Sequence, residues 1–151
     1  MAHVDLALSD LSEPGSGRVL GGFSGSLDLW SYPVSVAAEP SLLVDAAGVV
    51  IAVSPGCAPL LGVSPRDAVG RRLLGGVLHV LDFGPVVSDL PASEADKIPP
   101  LLAAATGGLA RHLIRVQGAD GLPRTVDAVS VPLRDGVAVV GSLTFFAPVS
   151  R

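Results

Sequence analysis

The sequence predicts an α+β domain: a five-stranded antiparallel sheet with short helices on one face. Three observations carry this reading. Residues 41–53 hold two short β-rich runs joined by a tight connection. Residues 54–107 hold helix starts and glycine stops but no long strand pattern. Residues 110–148 alternate polar and apolar positions and are punctuated by two Asp-Gly turns. The 18 glycines and 13 prolines among 151 residues, with few aromatics, imply an aliphatic core cut by many sharp turns.

Taken in order, residues 1–39 form a Gly/Ser-rich extension without sustained periodicity, read as a flexible lead-in to a domain spanning 40–148. Leu27, Leu29, Trp30 and Val34 within it are apolar and able to dock on the domain or on a second copy. SLLV and VVIAV are the first two strands, with Asp45-Ala46-Ala47-Gly48 as a hairpin connection. A helix start follows, with Ser54 as cap, Pro55 in the first turn and Gly62 as stop. The grammar repeats at Ser64, Pro65, Asp67 and Gly70. Both Ser-Pro steps are therefore helix starts.

Leu73, Leu74, Val77, Leu78 and Leu81 have helical spacing, weakened by Gly75-Gly76. Ala95–Thr106 reads as a helix whose regular part begins late because of Pro99-Pro100, and Gly107-Gly108 ends it. In ARHLIRVQG, His112, Ile114 and Val116 share the inward face. Asp120-Gly121 and Asp135-Gly136 are the turns of a closing three-strand meander.

Charge and cysteine content narrow the function. A formal charge of −4 leaves no basic footprint for a nucleic acid. A single cysteine, Cys57, forms no internal disulfide, which fits a reducing cytoplasm. The first residues carry acids where a secretory signal needs basic ones. No run approaches the ~18 apolar residues of a membrane span. No His/Cys/Asp/Glu spacing suits a metal, and no Gly-x-Ser-x-Gly elbow or phosphate loop occurs. The chain is therefore expected to be cytoplasmic, off the membrane and non-catalytic.

The order of elements resembles a PAS domain. The resemblance rests on SLLVDAAGVVIAVSPGCAPLLGVSPRDAVGR, which is similar to the family's opening strand pair and first helices. It rests equally on LLAAATGGLARHLIRVQGADGLPRTVDAVSVPLRDGVAVVGSLTFF, similar to its last helix and meander. Ser54 stands where many relatives carry an asparagine tying strand to helix, and residues 71–94, which usually wall the ligand pocket, depart in length and glycine content.

The resemblance implies a sensory or adaptor module of signal transduction, acting by dimerisation on a linked or partner kinase, phosphatase or transcription factor. A small-molecule sensor for an apolar guest such as a fatty acid is the alternative. The flavin of the light-oxygen-voltage branch needs Asn and Gln contacts and a cysteine on a later helix. This chain has no Asn, one Gln (Gln117), and Cys57 on the first helix, where it reads as a small buried hydrophobe. Haem would need a histidine before the last three strands, and residues 95–106 hold none, leaving only His79 as a weak candidate. No cofactor is expected.

In the register the resemblance implies, Leu42, Val44, Val50 and Ala52 line the inner sheet face from the first hairpin. Ile114, Val116, Val126, Ala128, Val139 and Leu143 line it from the meander, with Gly141 leaving room. Leu74, Leu78 and Leu102 cover it, and His112 or Ser130 would orient a guest. The same aliphatics could instead fill the space as a solid core. Val129, Val131, Val140 and Phe146 are expected on the outer face, forming with Leu29 and Trp30 a homodimer surface.

Overall fold

The computed structural model describes residues 25–149. The flexible Gly/Ser-rich lead-in expected over residues 1–24 lies outside the described residues. A six-stranded sheet runs β2-β1-β6-β5-β4-β3, with neighbouring strands antiparallel throughout. The strands are β1 (Ser41–Asp45), β2 (Val50–Val53), β3 (Val80–Leu81), β4 (Ala110–Gln117), β5 (Pro123–Asp135) and β6 (Ala138–Pro148). The helices are α1 (Ser26–Val36), α2 (Cys57–Leu61), α3 (Pro65–Ala68), α4 (Ala92–Ala95) and α5 (Pro99–Thr106).

The expected turns form where their residues permit. Asp45 Oδ1 accepts the N–H groups of Ala47 and Val49, both at 2.9 Å, and Gly48 takes φ 82°. Gly62 and Gly107 cap α2 and α5 in the left-handed region, at φ 71° and 73°. Pro99 occupies the first turn of α5, where a missing N–H costs nothing.

Other local readings are corrected. Ser54 caps no helix. Its Oγ accepts the Ser41 N–H at 2.8 Å and donates to the Glu39 carbonyl at 2.6 Å, so it ties β2 to the start of β1. The Leu73–Leu81 stretch is not one helix: a single wide turn at Leu73–Val77 breaks at Gly75 and Gly76, and the chain then enters β3. That short sixth strand pairs Val80 with Val116 and Leu81 with Arg115. Nor do the helices keep to one face, because α1 packs on the other.

Two bulges decide which side chains face where. Leu43 pairs with Ala52 but Val44 with Val50, leaving Ile51 over in β2. Leu133 pairs with Gly141 but Arg134 with Val139, leaving Val140 over in β6. An extra residue reverses the alternation beyond it. Val50 and Val53 therefore face the helices, while Ile51 and Ala52 face α1. In β6, Phe146 turns inward and Leu143 outward, the reverse of the sequence reading.

Two cores result. The larger joins Leu42, Val44, Val116, Val126, Ala128 and Phe146 to Leu61, Leu73 and Leu78 from the helical side. The smaller lies under α1, where Leu27 and Val34 meet Leu43, Ala52, Leu133 and Leu143. A segment with no clear period thus becomes a helix because the outer sheet face supplies its apolar partner. Its first turn is fixed to the β5–β6 turn: the Ser26 N–H donates to Asp135 Oδ1 at 2.8 Å, and Ser26 Oγ to the Arg134 carbonyl at 2.7 Å.

Candidate functional site

The inner sheet face is the first candidate. Of the side chains expected there, Leu42, Val44, Val50, Leu78, Ile114, Val116, Val126 and Ala128 do meet, packed as one buried cluster. Ala52 and Leu143 belong to the cluster under α1 instead, for the bulge reason above. Leu74 is exposed and borders a separate surface groove with Gly48 and Leu101. Val139 is half-buried, its Cγ2 close to Gly107 at the end of α5.

The polar atoms of this interior are already partnered. Ser130 Oγ and Thr144 Oγ1 share a hydrogen bond at 2.5 Å, and Ser142 Oγ donates to the Pro100 carbonyl at 2.6 Å. Among the described residues no buried side-chain nitrogen or oxygen lacks a partner. Ser130 is therefore committed within the sheet, not aimed at a guest.

Cys57 is fully buried. Its thiol donates to the Ser41 carbonyl at 3.2 Å, with Ser54 Oγ at 3.7 Å. Burial pushes the thiol up from its ordinary value, outweighing those hydrogen bonds, so thiolate character is suppressed. We expect the native protein to react with a thiol reagent such as DTNB roughly a thousandfold more slowly than the denatured chain. Fast native labelling at neutral pH would show the site to be open.

A groove of about 310 Å³ opens where β4 meets the segment between β3 and α5. Leu102, His112 and Ile114, three of the expected pocket residues, line it together with Leu81, Ile98 and Lys97. His112 lies on an exposed stretch of β4 at the rim. His79 does not face this space. Its Nε2 meets Asp89 Oδ1 at 2.5 Å, with both side chains largely in solvent. The sequence marks these three residues but not the groove's position, which depends on β3, a two-residue strand without periodicity.

The outer face is divided. Val131 and Val140, expected on an exposed surface, are half-buried in the cluster under α1. Phe146 is buried on the opposite face, and its neighbour Phe145 is the exposed aromatic, at 44%. Leu29 and Trp30 stand on the solvent side of α1 at 38% and 40% exposure. Beside Phe145, Arg111 and Asp127 pair across β4 and β5 at 2.6 Å, and the guanidinium holds the Asp127 carboxyl below its usual range. Among the described residues, no three His, Cys, Asp or Glu side chains gather to hold a metal. No helix there is long and apolar enough to cross a membrane.

No family model and no curated protein matches the chain. Solved structures do. The PAS domain of the fruit-fly ELK potassium channel superposes with a TM-score of 0.61 at 17% identity, covering 83% of this chain and 98% of that one. A PAS domain from Colwellia psychrerythraea gives 0.57 at 19%, covering 78% and 92%. The LOV domain of the blue-light photoreceptor Aureochrome1 gives 0.56 at 20%, covering 75% and 83%. The groups facing this chain's interior do not fit a flavin. The inner face is aliphatic apart from Phe146, its hydroxyls are bonded to one another or to backbone, and the only thiol is closed off on α2.

Proposed function

We propose that this chain, which carries the PAS fold, is a non-catalytic sensory or adaptor module that works by self-association and by regulating a linked or partner output. One observation supports this most: the apolar side chains that would line a ligand chamber pack against one another, while Leu29, Trp30 and Phe145 remain exposed on the outer side. Exposed aromatic and aliphatic groups of that kind are the usual anchors of an interface. The dimer surface is then Leu29 and Trp30 of α1 with Val129 and Phe145 of the sheet. Val131 and Val140 pack beneath it, whereas Phe146 belongs to the opposite face.

Sedimentation velocity across a wide concentration range tests this. The wild type should shift from one chain towards two as concentration rises, and the fluorescence of Trp30, the only tryptophan, should move to the blue with it. Phe145→Glu should weaken the association at least about tenfold while leaving the far-UV spectrum unchanged. A protein that stays monomeric at every concentration would remove the proposal.

A further inference from the structure

β3 fills only two places along the β4 edge, opposite Val116 and Arg115. The chain then turns away. The Asp82 N–H donates to the Ser88 carbonyl at 2.8 Å, and the Arg115 guanidinium fastens the turn through the carbonyls of Asp82 and Gly84, at 3.0 and 3.1 Å. Among the described residues, nothing pairs with Ala110–Ile114 on that side.

The direction of the unpaired groups follows from the ladder. The Gln117 N–H donates to the His79 carbonyl at 3.0 Å, so Gln117 points to the β3 side. Backbone groups alternate along a strand, so the N–H and C=O of Leu113 and Arg111 point the same way, into the open place. That place is the start of the groove described above, with Leu113 and Arg115 on one lip, His112 and Ile114 on the other, and Ile98 and Leu102 beneath.

We propose that this edge binds an extended segment of a partner protein, aliphatic at alternate positions and carrying an acidic side chain, added as a strand that continues the line of β3. Two positions of β4 supply up to four backbone hydrogen bonds, and an incoming strand places every second side chain over Ile98 and Leu102. Charge selects the acid. Lys97 is paired with Glu94 at 3.6 Å and Arg111 with Asp127, but Arg115 donates to carbonyls and, among the described residues, forms no ion pair. Arg115 is therefore the cation on this lip left for an incoming carboxylate.

Amide exchange followed by NMR on the full chain tests the proposal, with the hexapeptide Glu-Val-Thr-Val-Thr-Val as probe. The Leu113 and Arg111 amides should exchange quickly in the protein alone and slow at least about tenfold with saturating peptide. Leu113→Pro, which deletes an N–H that no described strand uses, should abolish the effect. A peptide beginning with Lys instead of Glu should bind several-fold more weakly. If these amides are already protected without peptide, the edge is filled by this chain or a second copy, and the proposal falls. It falls equally if the wild-type amides stay fast with peptide present. Sedimentation of the same sample reports self-association separately, so failure here is distinct from failure of the dimer.

Discussion

Phe146→Ala is expected to cost about 3–5 kcal/mol of folding stability, and Phe145→Ala, one residue away, under about 1 kcal/mol. Phe146 is 4% exposed and packs in the larger core with Ala128 and Val126, whereas Phe145 is 44% exposed on the outer face. Removing the buried ring loses its transfer free energy and leaves a cavity that a tightly packed sheet cannot close. Denaturant unfolding of the two variants side by side, at low protein concentration, checks this. If Phe145→Ala were the more damaging, the Val140 bulge would be misplaced and the facing of β6 reversed.

Gly141→Ala is expected to destabilise by roughly 3 kcal/mol, lowering Tm by about 10 °C. From the sequence alone this glycine reads as spare room on the inner face. In the fold, a β-carbon there would press on the Val44 carbonyl oxygen and come within 3.0 Å of the Asp45 Cα and 2.9 Å of Leu27 Cδ2. Leu27 could give way, but the β1 backbone is held by its ladder to β6. Gly108→Ala is the control, since its nearest neighbour would be Thr106 Oγ1 at 3.8 Å, and it should change stability by under about 0.5 kcal/mol. Thermal melts that place both variants together would show that β1 and β6 are not in close contact at Gly141.

The groove was only partly legible in the sequence. His112 and Ile114 were placed on a common face by the alternation of β4, and Leu102 on the covering helix, and all three line the groove. Its position was not foreseen, because that depends on where β3 stops, and the Arg115 clamp on the Asp82–Gly84 turn spans more than thirty residues. The outer surface shows the same division. Leu29 and Trp30 are visible as apolar residues in a segment without a clear period, yet only docking of Leu27 and Val34 leaves them on the solvent side.

What the sequence determined by itself was local: the α+β class, the tight turns, the glycine stops of α2 and α5, and the faces of β4 and β5. Each rests on a backbone preference or a strict polar alternation within a few residues. The tertiary structure decided the facing of β2 and β6, the place of α1 and the sixth strand. Val50-Ile51-Ala52-Val53 and Val139-Val140-Gly141 are apolar or small throughout, so no contrast marks which residue is the extra one. A bulge is a property of two strands fitted together, and that fit exists only once the sheet has formed.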